Sequence, residues 1–343
     1  MELGDRKLKI LQAIIKDFIT TAEPVGSRTL AKKYNLGISS ATIRNEMADL
    51  EELGFLEQPH TSAGRVPSDK GYRLYVDNLM RINKLAQRHR ETIQKCFLDS
   101  LGELEQAFSQ TSKILSQITK LTSIVITPQF KESKLKHIQL IPIDEKSILL
   151  VIVSEKDVIK NTILRVSETY TADYLQMISK MLNAGLQGLT IDKITGSALE
   201  SMKIEMRMFS TMIEAVMPAL VSTLDEMVNA HLYLDGLTNI FNLPEYNNIH
   251  KAREFMAMLD QKDSIADMLI NRKDGVDITI GKENRNEEMK ECSLVTATYK
   301  YNGRIVGKIG VIGPTRMDYD NIVSVVDFMT KSLTDILKGS AEE

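Results

Sequence analysis

Ser39-Ser-Ala-Thr-Ile-Arg-Asn-Glu-Met-Ala-Asp-Leu-Glu-Glu-Leu-Gly54 decides how the first third of the chain is read. Ile43, Met47 and Leu50 recur at i, i+4 and i+7, which lays an apolar stripe along one helix face. Ser39 or Ser40 offers the N-cap oxygen, and Gly54 sits where a helix ends on a left-handed residue. Working back, Asn35-Leu36-Gly37-Ile38 is a tight turn, with Gly37 able to take positive φ. Before it, Ser27 caps a short helix, Arg28–Tyr34, with Leu30 and Ala31 inward. Earlier still, Leu8, Leu11, Ile14, Ile15 and Phe18 are spaced for a helix over 5–19, with Asp5 as its cap. Glu23-Pro24-Val25-Gly26 stops that helix. Short helix, glycine turn, helix is the helix-turn-helix plan. The start of its second helix faces a DNA major groove. Here that stretch offers Ser39, Ser40, Thr42, Arg44 and Asn45. Arginine can chelate guanine, asparagine can chelate adenine, and small hydroxyls reach phosphates or bases. The same spacing also suits a plain three-helix bundle with a polar surface.

Working forward, Phe55-Leu56-Glu57-Gln58 reads as a strand and Pro59–Gly64 as a polar turn. Arg65-Val66-Pro67 returns as a second strand. A hairpin directly after the second helix is a wing, whose tip places His60, Thr61, Ser62 and Arg65 near sugar and phosphate. Asp69–Leu79 predicts a further helix. Tyr72, Tyr75, Val76 and Leu79 face inward on it, and Lys70 and Arg73 are free. Arg73 completes the candidate DNA-contact set. Core packing outweighs base stacking for both tyrosines.

Charge and composition bear on this reading. The 343-residue chain carries 43 Lys+Arg against 46 Asp+Glu, a net −3, which argues against a uniformly basic nucleic-acid binder. Residues 1–95, however, hold 16 Lys+Arg against 12 Asp+Glu, so a +4 head precedes a −7 body. An apolar fraction of 43% with 26% charged residues is a globular balance and excludes a disordered or collagen-like chain. The longest apolar run, Ile148–Val153, is far short of a membrane span. The first residues lack the basic-then-apolar plan of a signal peptide, so the expected location is cytoplasmic. Cys96 and Cys292 lie far apart and away from any His pair, which excludes a disulfide framework, a zinc knuckle and a redox CxxC.

The head sequence resembles the HrcA family of bacterial heat-inducible transcription repressors. The resemblance rests on Ser39–Gly54, on Gln58-Pro-His-Thr-Ser-Ala-Gly-Arg-Val-Pro67, and on Gly71-Tyr-Arg73 with Tyr75-Val-Asp77. Gly303-Arg-Ile-Val-Gly-Lys-Ile-Gly-Val-Ile-Gly-Pro-Thr-Arg-Met-Asp-Tyr319 is similar to a second signature of that family. Leu234-Asp-Gly-Leu-Thr-Asn239 with Pro244-Glu-Tyr246 is similar too, so the likeness runs along essentially the whole chain.

In the body, residues 80–120 carry Ile93, Phe97, Leu101, Leu104, Phe108, Leu115 and Ile118, the pattern of a linker helix or helix pair. Strands follow over 123–127, 136–143, 147–154 and 158–166, then a helix over 171–183. Strands resume over 276–280, 293–301 and 304–312, and a last helix covers 319–337. Asn302-Gly303 is a two-residue hairpin signal. Residues 185–250 interrupt the sheet pattern with a helical stretch rich in Met202, Met206, Met208, Met212, Met217 and Met227. Most of these suit ordinary core. The stretch is also expected to be a dimerisation insert. The expected fold is α+β and multidomain, and the resemblance implies its parts. These are a winged helix-turn-helix domain (1–80), a helical linker (81–105), a GAF-like antiparallel sheet domain in two parts (106–184 and 251–343), and an inserted dimerisation domain (185–250).

No catalytic constellation emerges. His60, His89, His137, His231 and His250 are scattered, none in HExxH or beside a cysteine. Gly307, Gly310 and Gly313 lack the Gly-Lys-Ser/Thr of a phosphate loop. No cofactor or metal is expected, and no enzyme activity. The resemblance implies a homodimer that binds the CIRCE inverted repeat and represses chaperone operons, kept active by the GroEL chaperonin and inactivated on heat stress. No membrane partner is expected. A ligand-gated regulator sensing through the GAF-like sheet is the alternative, and an enzyme with a site between body domains is the third.

Overall fold

The structure, a computed structural model, describes residues 3–60, 63–81, 85–98, 104–127, 132–155, 158–194, 199, 202, 204, 209–229, 231–301 and 304–339. It divides into two compact units. One combines Met1–Ile126 with Leu232–Glu343, and the other, Thr127–His231, is inserted between those halves.

The first unit begins with α1 (Asp5–Thr21), α2 (Ser27–Lys33) and α3 (Ser40–Glu52). They enclose Ile10, Leu11, Ile14, Ile15, Leu30, Ile43, Met47 and Leu50. Gly4, not Asp5, is the N-cap of α1. Asp5 instead sits in the first turn, where its negative charge meets the positive end of the helix dipole. α2 is too short to bury two residues; Leu30 is inside and Ala31 is exposed. Gly37 and Gly54 take φ of 67° and 78°, the left-handed turns that the sequence requires of them. β1 (Leu56–Glu57) pairs antiparallel with β2 (Val66–Pro67). Val25 adds a third rung, its N–H and C=O each 2.9 Å from the backbone partners of Arg65. α4 (Asp69–Leu74) follows, and Tyr75–Leu79 continues it as a wider π turn rather than as one uniform helix.

A five-stranded antiparallel sheet forms the rest of this unit. Its strands are β3 (Thr122–Ile126), β7 (Leu232–Asp235), β8 (Asp277–Ile280), β9 (Cys292–Tyr301) and β10 (Arg304–Pro314), in the order β7-β3-β10-β9-β8. Alternation sorts their side chains. Val125, Val295, Ala297, Tyr299, Ile309 and Val311 share one face and belong to the main core. Helices α5 (Gln87–Leu98), α6 (Leu104–Thr119) and α11 (Tyr319–Gly339) supply that core with Ile93, Phe108, Leu115, Val326 and Met329. The Phe108 and Tyr299 ring centroids are 5.8 Å apart. Gly307 lies opposite Tyr299, whose hydroxyl donates 2.5 Å to the Ile126 carbonyl. A Cβ on Gly307 would overlap that hydroxyl, so this glycine serves packing and not a phosphate. The turn residues Asn302 and Gly303 lie outside the described residues.

Ile124, Ile126, Leu294 and Ile312 are buried on the other face. α9 (Ile249–Asp260) and α10 (Lys262–Ile270) precede β8. Lys308, buried on β10, donates to the carbonyls of Ile270 and Lys273 at 3.4 Å and to that of Arg272. Burial lowers its pKa from the ordinary lysine value. The three carbonyls at the end of α10 give the ammonium its hydrogen bonds.

The inserted unit has its own sheet, β4 (Leu135–Asp144), β5 (Ser147–Ser154) and β6 (Ile159–Arg165), in that order. Ile138, Leu140, Ile148, Leu150, Ile152 and Leu164 are buried on one face, against α7 (Ala172–Leu186) and α8 (Ser210–Val228). α7 also completes hydrogen bonds of β4. Asn183 accepts from the Ile138 N–H at 2.8 Å and donates to its carbonyl at 2.7 Å, and Ser179 accepts from the Leu140 N–H at 2.9 Å.

The insert therefore does not run over 185–250. Its limits fall at Thr127 and His231. Among the described residues the strands over 135–165 form a sheet of their own, whereas β3 pairs with β10 and β7. Spacing along a chain tells that a segment is a strand, not which sheet it joins. Met202, Met212, Met217 and Met227 are buried side chains; Met206 and Met208 lie outside the described residues.

Gly307→Ala tests the packing at the centre of the larger sheet. It is expected to lower stability by about 1–3 kcal/mol, the usual penalty for overpacking, read as a lower urea midpoint. An unchanged midpoint would mean that the Tyr299 contact is not tight.

Candidate nucleic-acid interface

α3 brings most of the candidate DNA contacts to one edge of the head. Ser39 is its N-cap: the side-chain oxygen accepts from the Thr42 N–H at 3.1 Å and lies 3.0 Å from the Thr42 hydroxyl. These two hydroxyls are thus engaged in the cap. Ser40 is half-buried beside them. Arg44 and Asn45 point outward one turn later, exposed, with no hydrogen-bond or ion-pair partner among the described residues. The Arg44 guanidinium and the Asn45 carboxamide thus stand side by side on a helix whose other face is packed by Ile43, Met47 and Leu50, and groups of these two kinds can hydrogen-bond base edges.

The hairpin divides its candidates. His60 is exposed at the turn, with its carbonyl accepting from the Ala63 N–H at 2.9 Å. Thr61 and Ser62 lie outside the described residues. Arg65 is not free. Its Nε and Nη2 approach the same Glu51 oxygen at 2.8 and 2.7 Å, so the wing is clipped to the end of α3.

Arg73 departs further from the expectation. Nε donates 2.8 Å to Glu283 Oε1, and Nη2 donates 2.5 Å to Glu283 Oε2 and 2.6 Å to the Ile278 carbonyl. Asp77 adds a bond at 3.2 Å. The hydrogen bonds to Glu283 hold the guanidinium pKa above its ordinary value. The Arg73 guanidinium, read as free, is thus engaged by Glu283, the Ile278 carbonyl and Asp77 of the same chain. Lys70, also read as free, donates 2.8 Å to the Leu53 carbonyl and lies over the Phe55 ring. Sequence reading missed these partners because Glu283 is 210 residues away, a distance no local pattern spans.

It also passed over two cations that the fold leaves available. Arg28 and Lys32 are exposed at i and i+4 on α2 and have no ion pair among the described residues. Lys9 and Lys16 on α1 are likewise exposed without an ion pair among the described residues, whereas Lys7 is paired with Glu46 and Asp49 at 2.8 and 2.7 Å, and Lys33 with Asp17. The i, i+4 basic spacing on the first helix of the motif was the available signal.

Among the described residues no group of three His, Cys, Asp or Glu side chains can hold a metal. Cys292 is buried, with its thiol 3.6 Å from the Tyr246 hydroxyl, and burial pushes its pKa up to about 11, which makes it inert. An open cleft of about 1110 Å³ is lined by Val76, Met80, Met268, Val276, Ile278 and Val323, among others. None of the described buried polar side-chain atoms that lack a partner belongs to a residue lining it. No described helix is long and apolar enough to cross a membrane.

Comparison with known proteins bears on the whole chain. A family model for the HrcA protein C-terminal domain matches residues 105–323. The heat-inducible transcription repressor HrcA of Alkaliphilus metalliredigens (strain QYMF) is 49% identical over 340 residues, covering 99% of each chain. That of Clostridium tetani (strain Massachusetts / E88) is 46% identical over 340 residues, 98% of this chain and 97% of the relative. A crystal structure of a hypothetical protein at 2.2 Å shares the fold, with a TM-score of 0.75 and 24% identity over 99% of this chain and 100% of the other.

The Ser39 cap can be tested alone. Ser39→Ala is expected to cost about 1 kcal/mol of stability and Ser39→Asp close to none, measured by urea unfolding. Equal losses in both would show that the hydroxyl does more than cap.

Proposed function

The chain belongs to the HrcA family of heat-inducible transcription repressors, and from that premise we propose that it represses chaperone operons by binding the CIRCE inverted repeat as a homodimer. The observation that carries this reading is the pair Arg44 and Asn45, exposed and unpartnered on α3, with a hairpin directly after that helix. A three-helix, one-hairpin head of this kind is a winged helix-turn-helix. Arg44 and Asn45 read bases in the major groove. Arg28, Lys32 and the α3 start meet phosphates, and the hairpin with His60, Thr61 and Ser62 lies along the backbone. Arg65 positions the hairpin through Glu51.

A two-fold inverted repeat calls for a two-fold protein. The inserted unit supports that part of the reading. The side of its sheet away from α7 and α8 aligns Ile141, Leu149 and Ile163 across three strands, with Val151 and Val153 on the same face. Ile159 and Ile163 are 62% and 64% exposed, and Ile141 and Ile143 are 42% and 51% exposed. An exposed apolar sheet face of this kind, crossed by the polar Gln139 and Asn161 beside Val151, is the surface we assign to association. The homodimer contact is therefore assigned to this face rather than to the methionine-rich helix, whose described methionines are buried in the unit's own core. The GroEL chaperonin keeps the repressor in its folded, active form. Heat draws chaperonin to other clients, and the active population falls. A stability margin of a few kcal/mol is enough for such a response.

The ligand-gated alternative finds less support. Side chains fill both faces of the larger, GAF-like sheet.

Two measurements test the reading. Arg44→Ala should lose about 1–3 kcal/mol on the inverted-repeat operator and little on random duplex, by gel shift with and without chaperonin. Equal losses on both duplexes would make Arg44 a phosphate contact. Ile141→Lys with Ile163→Lys should convert a dimer to a monomer by light scattering, with the circular dichroism unchanged; a persistent dimer would move the interface elsewhere.

A further inference from the structure

The head and the larger sheet meet along one seam within the same unit. Arg73 and Glu283 form a two-pronged pair across it. Beside them, the Lys282 N–H donates 3.0 Å to Asp69, and the buried Tyr75 hydroxyl donates 2.6 Å to Asp320. Behind, Arg316 donates 2.5 Å to the Ile19 carbonyl at the end of α1 while it pairs with Glu245 at 2.5 and 3.1 Å. The head is thus tied to the sheet at α1, at α4 and at the π turn.

The Arg73 pair is the most specialised of these ties. β8 is the terminal strand of its sheet. Arg73 binds the Ile278 carbonyl and Glu283 accepts from the Ile280 N–H at 2.9 Å, while the same two side chains bind each other. The fork therefore joins α4 to the backbone of a strand and not merely to another flexible side chain. A bidentate arginine pair of this type fixes angle as well as distance.

We propose that Arg73 and Glu283 are a positioning pair for operator binding: they set the orientation of each head on its sheet domain, and touch no DNA themselves. The inference rests on the proposed function, since orientation matters only where two heads must meet two half-sites at once. A head free to swivel still reads one half-site. It loses the gain in effective concentration that a correctly placed second head supplies.

The test compares Glu283→Gln with the wild-type full chain by fluorescence anisotropy. The probes are a duplex carrying the complete CIRCE inverted repeat and one carrying a single half-site. Glu283→Gln keeps the shape of the side chain and removes its charge. The expected result is about a tenfold loss on the complete repeat with single half-site affinity unchanged. Arg73→Gln, which removes the other partner of the pair, should give the same loss on the complete repeat with single half-site affinity unchanged. Equal losses on both duplexes, or no loss on either, would overturn the positioning role. A wild-type protein that does not prefer the complete repeat over the half-site would instead overturn the proposed function. A melting curve for each variant, matching wild type within a few degrees, excludes general unfolding as the cause.

Discussion

β10 can join the sheet only between β3 and β9, and the rest of the molecule is arranged around that placement. β3 and β10 lie almost 180 residues apart in the chain, at Thr122–Ile126 and Arg304–Pro314. Five consecutive residues pair between them, Lys308–Ile312 against Thr122–Ile126. The chain leaves this sheet after Ile126 and re-enters it at Leu232, so the intervening residues must fold as a unit of their own. The pairing also brings the Ile126 carbonyl under the Tyr299 hydroxyl, which forbids a side chain at Gly307. On the far side of β9 it leaves β8 as the terminal strand, the one the head engages.

The electrostatics of the head follow from its folding. A +4 total is small for a DNA-binding domain, and folding makes the usable charge smaller. Lys7, Lys33, Arg65 and Arg73 are each neutralised by carboxylates of the same chain. Exposed Lys9, Lys16, Arg28, Lys32 and Arg44 carry no ion pair among the described residues. Counterion release scales with the number of phosphates neutralised, so a surface of this kind obtains little affinity from bulk attraction. In the proposed function, discrimination then rests on the few side chains on α3 and on the geometry in which a dimer would present its two heads.

Much of this was legible in the sequence, for identifiable reasons. α3 announced itself through Ile43, Met47 and Leu50, and its cap through Ser39, because these signals act within one or two turns. The hairpin from Phe55 to Pro67 and most strands of both sheets were equally local; β7, Leu232–Asp235, was read instead as part of a helical stretch. What was hidden depended on partners far away in the chain. Arg73 looks free when only Lys70 and Asp77 are its neighbours; Glu283 and the Ile278 carbonyl arrive from the other end. The limits of the insert were missed for the same reason. Strands β4–β6 carry the same alternating pattern whether they extend the first sheet or build a second. The partition at Thr127 is decided by which strand pairs with β3.

The Arg73–Glu283 fork has a consequence apart from DNA. A terminal strand is a row of backbone donors and acceptors ready to accept another strand, and such edges seed aggregation unless something blunts them. On β8 the blunting is done by side chains at the seam, one of which belongs to the head. A molecule whose head lifts away therefore gains more than a loose domain: it uncovers a bare edge that a neighbouring chain can extend. The two side chains proposed to aim the head also occupy backbone groups of this edge, so one opening event would free both.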